Sequence, residues 1–206
     1  MARSPKLPPL KPRKTPGQVR SQQTVAALLE AAAQVLERDG LEGFNTNAVA
    51  ERAGVAIGSL YQYFPGKDAL TLALMRREDE RFHAEAALAL EEPTGRRALQ
   101  SFVGACARQQ LLRPALAHLL DVEQSRPPIR QEAGGAAFLL GVVREILGRS
   151  DIPRQERADD AAADLLAIVR SLTDLAGERG ERDIADLQQR IEPAVFGYLR
   201  MTPSDD

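Results

Sequence analysis

Apolar residues recur along this chain at helical spacing. Val25, Leu28, Leu29, Ala32, Val35 and Leu36 share one face, and Gly40 supplies a stop, so a first helix is predicted over 16–39. Its start is marked by Thr15-Pro16-Gly17-Gln18, a capping-box pattern with Pro at the first helical position. Asn45 or Thr46 can cap a short second helix whose inward face is Val49, Ala50 and Ala53, and Gly54 suits the left-handed residue that ends it. A third short helix is predicted over 57–63, closed by Phe64-Pro65-Gly66, because a proline disfavours helical geometry at the residue before it. Two short helices joined by a Gly-containing turn form a helix-turn-helix pattern.

Beyond Lys67 the pattern lengthens. Leu70, Leu74, Phe82, Ala86 and Leu90 mark a long fourth helix that stops at Pro93. Breaks at Pro114, Pro127-Pro128, 150–153 and 177–180 then divide the remainder into helices over 94–112, 114–125, 129–148, 154–176 and 183–199. The total is nine, without an internal repeat. Aromatic residues make up 4% of the 206, Trp is absent, and β-branched residues never gather into alternating runs. Strands draw on those side chains, so the fold class is all-α. At 44% hydrophobic the chain can bury a sizeable core.

The single cysteine, Cys106, excludes an intrachain disulfide framework, and with two histidines, His83 and His118, no metal site and no cofactor is expected. The longest uncharged apolar run, residues 134–143, is too short for a membrane span and too far from the N-terminus for a signal peptide. A cytoplasmic protein with no membrane partner is expected.

The net charge of −2 conceals an asymmetry: residues 1–68 carry nine Lys and Arg against six acids, leaving −5 for the rest. The first 14 residues hold five of those bases, no acid, and Pro5, Pro8, Pro9 and Pro12. Proline lacks the N–H that a helix interior needs, so residues 1–14 are expected to be a disordered basic arm, either a solvated tail or a segment reaching an adjacent DNA groove. The basic end is where a nucleic-acid site is to be sought.

In that region stand Thr46-Asn47-Ala48-Val49-Ala50, then Ala53-Gly54-Val55, then Gly58-Ser59-Leu60-Tyr61-Gln62-Tyr63-Phe64-Pro65-Gly66-Lys67-Asp68-Ala69-Leu70. These stretches, in this register, resemble the DNA-binding segment of the tetracycline-repressor (TetR) family, over about residues 24–75. The resemblance implies a helix-turn-helix DNA-binding domain over 15–66 and a regulatory and dimerisation bundle over 67–206. It also implies a dimeric transcriptional regulator, most often a repressor, that binds a double-stranded DNA operator and answers to a small-molecule effector.

Its motif places DNA contacts at Thr46, Asn47, Gly58, Ser59, Tyr61, Tyr63 and Lys67. The residue types suit the task. A hydroxyl at a helix start, as at Thr46, can bond a phosphate, and Lys67 adds charge where the helix dipole already favours an anion. Ser59 and Gly58 let the recognition helix approach base edges, while Tyr61 and Tyr63 offer rings to thymine methyls or sugars and hydroxyls to phosphate. Asn47 matches a position where some members read a base. Ala56 departs from the family's frequent Ser or Thr, so the third helix lacks a side-chain cap, and Gly66 replaces a frequent Ser before the Lys.

In the bundle, Phe102, Cys106, His118 and Phe138 are candidates to line an effector site between helices, for a mainly apolar molecule. Gly104, Gly134, Gly135 and Gly141 leave either space for it or room for close helix packing. The stripe Ala158, Ala161, Ala162, Leu165, Ile168, Val169, Leu172 and Leu175, with a second one of Ile184, Leu187, Ile191, Val195 and Leu199, predicts a homodimer interface between the last two helices of two copies. An enzyme is not expected, since no Ser-His-Asp set, Glu-x-x-His pair, P-loop or dinucleotide fingerprint occurs. An adaptor that has lost DNA binding is disfavoured by Thr46, Tyr63 and Lys67 all being present.

Overall fold

The computed structural model describes residues 19–124, 126 and 136–200, so the basic arm and the start of the first predicted helix lie outside the described residues. Among those described there are nine α-helices and no strand. They are α1 (Val19–Gly43), α2 (Thr46–Arg52), α3 (Ile57–Tyr63), α4 (Lys67–Ala87), α5 (Gly95–Leu111), α6 (Pro114–Gln124), α7 (Ala136–Leu147), α8 (Ala158–Glu178) and α9 (Ile184–Tyr198). The all-α reading holds. The helices form two compact units, and the division falls inside α4, after Glu78, and inside α6, after His118.

The first unit holds α1, α2, α3, the first part of α4 and the second part of α6. Leu28, Leu29, Ala32, Val35 and Leu36 of α1 are buried, as their spacing requires. Gly40 has φ +66° and ψ −170°, a conformation that breaks the helix four residues before Phe44 enters the core. On α4 the buried face is Ala69, Leu70, Leu72, Leu74 and Met75, and Leu120 of α6 packs against Leu72 and Met75.

In the second unit α5 is central, packed against α7, α8 and α9. Phe102, Leu99, Val103 and Leu111 of α5 meet Val142, Val143 and Ile146 of α7 in one core. The fourth helix does not run as α-helix to Pro93; it tightens into a 3-10 segment, Leu88–Glu91. Arg149 explains the change by donating to the carbonyls of Leu90 and Glu92 at 2.6 and 2.5 Å, which fixes the last turn away from α geometry. α8 ends beyond its predicted stop because Gly180, with φ +69°, is the left-handed residue rather than Gly177. Pro193 lies within α9 on its exposed side, a break that the helix absorbs where water can satisfy the carbonyl it leaves unpaired.

The expected dimer stripe needs correction. Leu165 and Val169 of α8, and Leu187, Ile191 and Val195 of α9, are 0–3% exposed within a single chain, and the half-buried Leu172 and Ile184 pack against the same core. The five fully buried residues hold α8 and α9 to the chain's own core, whereas Leu172 and Ile184 keep part of their surface open. Helical spacing shows that a face is buried but not what buries it.

Candidate nucleic-acid interface

Asn45 follows the buried Phe44 in extended geometry, φ −149° and ψ 163°. Its side-chain oxygen accepts from the Ala48 N–H at 2.9 Å while its amide donates to the Gly43 carbonyl at 3.0 Å. Of the two possible caps, Asn45 takes the role, and Thr46 becomes the first residue of α2. Val49, 0% exposed, and Ala50, 3% exposed, seat that helix in the unit's core, while Ala53 is only half-buried.

The turn that follows is fixed by two backbone bonds, Gly54 N–H to the Glu51 carbonyl and Val55 N–H to the Ala50 carbonyl, both 3.0 Å. This is the Schellman arrangement, and its left-handed residue is Gly54, φ +67°. No atom lies within 4 Å of where a Cβ at Gly54 would stand, so backbone conformation rather than crowding selects glycine here. α3 then starts at Ile57 with no side-chain cap at Ala56 and is anchored by the buried Leu60.

What remains outside is the face that can meet a partner. Asn47, Gly58 and Tyr61 are exposed, and Thr46, Ser59 and Tyr63 are half-buried. The Thr46 hydroxyl and the Tyr61 hydroxyl lie 3.1 Å apart, so one bond ties the start of α2 to the middle of α3. Nothing lies within 4 Å of a Cβ built on Gly58, so the protein itself would accept a side chain there. Lys67 opens α4, and its ammonium donates to the Leu41 carbonyl at 3.3 Å and stands 5.2 Å from the centre of the Phe44 ring. An ammonium has three donors, so the Leu41 bond leaves others for an anion.

Arg52, which sequence reasoning passed over, is exposed in the last turn of α2 and donates to Gln34 of α1 at 2.7 Å. Its partner is 18 residues away in sequence, and no local pattern announces such a pair. From residue 21 to 68 the bases are Arg38, Arg52 and Lys67, against Glu30, Glu37, Asp39, Glu42, Glu51 and Asp68. The helices themselves are therefore net acidic, and the positive charge of this region is carried by residues 1–20.

In the second unit the four candidate effector residues differ in exposure. Phe102 is 2% exposed in the core and Cys106 packs against the same core, where burial pushes its thiol up to about 12. His118 is exposed, and Phe138, 43% exposed, lies 4.5 Å from the His83 ring. A cleft of about 360 Å³ does open in this unit, lined by Glu92, Arg97, Gln100, Ser101, Gly104, Arg108 and Gln188, and it includes none of the four. Its lining is polar. Gly104 is where Gln188 and Arg108 crowd in, at 3.0 and 3.2 Å from a notional Cβ. Among the described residues no cluster of three or more His, Cys, Asp or Glu could hold a metal, and no helix is long and apolar enough to cross a membrane.

Residues 28–74 match the family model described as bacterial regulatory proteins, tetR family. Over 112 residues the chain is 33% identical to the HTH-type transcriptional repressor KstR of Rhodococcus jostii (strain RHA1), a stretch covering 54% of this chain and 46% of that protein. Over 92 residues it is 40% identical to KstR of Mycolicibacterium smegmatis, covering 43% and 44%. The chain thus spans less than half the length of these relatives. Its fold is like that of a TetR-family transcriptional regulator from Streptomyces coelicolor, with a TM-score of 0.62 at 23% identity over 86% of this chain and 98% of that one. These curated relatives are HTH-type regulators. The matched segment, residues 28–74, is similar to that of the tetR-family regulatory proteins, and the curated relatives named are transcriptional repressors.

Proposed function

We propose that this chain is a homodimeric transcriptional repressor that holds duplex operator DNA with α2, α3 and the start of α4 and is released by a small molecule. The observation that carries the proposal is the α2–α3 pair: a Schellman turn at Gly54 fixes two short helices whose inner residues are buried, within the segment that the family model matches. Thr46, Tyr63 and Lys67 position the protein on phosphates, and Ser59 and Tyr61 read base edges, with Gly58 letting α3 approach the groove and Asn47 beside them. Because the folded helices are net acidic, the arm over 1–14 supplies much of the phosphate attraction.

The dimer forms through the outer faces of α8 and α9. Ala163, Ala167, Ser171 and Leu175 recur there every fourth residue, and Tyr198 of α9 donates to Asp164 of α8 at 2.7 Å on the same side. Small exposed residues let a second helix pair approach closely. The effector acts from the second unit, and because a ligand shifts an equilibrium only through different affinities for its two states, effector and operator antagonise each other reciprocally.

Selection of bound sites from random duplexes tests the reading, and it is expected to return two related half-sites. Lys67→Ala is expected to weaken binding to every duplex alike and to lower the slope of log affinity against log salt by about 0.9. An unchanged slope removes Lys67 from the contact set; failure to enrich any duplex overturns the proposal.

A further inference from the structure

The start of α4 is held from a second side. Glu123, near the end of α6, has a carboxylate whose side chain is 2% exposed, and Arg126 reaches it at 2.5 Å through one guanidinium nitrogen. The other terminal nitrogen of Arg126 lies 3.2 Å from a carboxylate oxygen of Asp68, the second residue of α4 and the neighbour of Lys67. A buried carboxylate requires a counter-charge, which fixes Arg126 in place, and a planar guanidinium so fixed can hold a second carboxylate with little further loss of freedom. Leu120, one turn earlier on α6, packs on Leu72 and Met75 of α4, so the end of α6 lies along the first turns of α4 by both an apolar and an ionic contact. The Leu41 carbonyl and the Phe44 ring hold the Lys67 ammonium.

We infer that Arg126, anchored by Glu123, is a positioning residue that pins Asp68 and thereby sets where the first turn of α4 presents Lys67 to duplex DNA. The inference rests on the proposed function, in which Lys67 meets a phosphate. Arg126 makes no contact with DNA in this scheme; it acts through Asp68.

The informative variant is Asp68→Asn, because Arg126→Gln would strand the buried Glu123 carboxylate and cost stability of its own. Asp68→Asn keeps the Glu123–Arg126 pair and removes the charge through which Arg126 holds α4. The electrostatic expectation for an ordinary surface acid is the reverse of the positioning expectation: removing a negative charge beside phosphates strengthens binding. Full-length wild type and Asp68→Asn are titrated by fluorescence anisotropy against the duplex recovered by selection, across a series of salt concentrations, with thermal unfolding followed in parallel. The expected result is an operator affinity about threefold or more lower, in the range seen for residues that couple through a network, and a salt slope smaller by about 0.9 as Lys67 loses its phosphate. On a Lys67→Ala background the same Asp68→Asn change is expected to leave affinity level or raise it. Equal or tighter binding by Asp68→Asn in the wild-type background, or an unchanged salt slope, overturns the inference while the proposed function stands. Failure of the wild type to bind any duplex overturns both.

Discussion

Gly54 carries more than its absent side chain suggests. At φ +67° it closes α2 and aims α3, and nothing in its surroundings would collide with a Cβ. Gly54→Ala is therefore a test of backbone conformation alone. It is expected to destabilise the chain by about 1–2 kcal/mol, the cost of holding an L-residue in the left-handed region, measured as a shift in the chemical unfolding midpoint. A neutral result would mean that the turn relaxes to another geometry. The Thr46–Tyr61 bond is the other residue-level finding, since it joins two of the proposed DNA contacts within the protein itself. Both residues were legible as candidates in the sequence because caps, breakers and motif spacing are local. Their bond to each other was not, because residues 15 apart meet only once the turn is formed.

Helix ends, more than helix interiors, explain how the second unit is joined. The first three N–H groups of α5 are all accounted for: Gly95 and Arg96 donate to the Asp151 carboxylate at 2.8 and 3.1 Å, and Arg97 donates to the Thr94 hydroxyl at 3.2 Å. Two residues earlier on the same loop, Arg149 holds the carbonyls that end the 3-10 segment. One loop between α7 and α8 thus caps both sides of the break at Pro93. A Cβ at Gly95 would stand 2.5 Å from Ile152, so glycine is needed there for close approach. Desolvation raises the Asp151 pKa, but the backbone donors of Gly95 and Arg96 outweigh it and hold the carboxyl below 3.8. A carboxylate with a depressed folded pKa contributes stability that is present above its unfolded pKa and is lost as pH falls through the folded one. Asp151→Ala is expected to cost about 1 kcal/mol at neutral pH, the usual worth of a helix cap. In thermal unfolding the gap between wild type and variant should narrow as the pH drops below 3.8. A gap that stays constant through acid pH would show that the carboxylate is not the cause.

Over the whole molecule, α8 and α9 present two faces with different work. The inner face is core, and Leu187→Ala, at a site 0% exposed, is expected to cost about 2–5 kcal/mol of stability. The outer face is assigned to the second copy, so Ala167→Glu should leave the circular dichroism spectrum unchanged yet give monomers in light scattering. Such monomers should hold operator weakly, since two recognition helices on two half-sites bind with an avidity that one lacks. A dimer that survives Ala167→Glu would place the interface elsewhere.

The helices and the α2–α3 pair were written in the order of residues, because their signals act within a few positions: apolar spacing sets a buried face, Asn45 and Thr94 start helices, and Gly54 ends one. α3 even occupies the predicted span, Ile57–Tyr63. Partnership was not written there. Leu165 and Val169 signal burial equally well against the chain's own core or against another copy, and only packing decided for the former at these two residues. Gly104 signals space, but what fills it came from Arg108 and from Gln188 on a helix distant in sequence. Asp68, Glu123 and Arg126 look like ordinary surface charges until α6 is laid along α4, since two of them are 58 residues apart and a guanidinium joins them only in three dimensions. Local hydrogen bonding and helical periodicity belong to short stretches of chain, whereas the choice of which buried faces meet depends on every element at once.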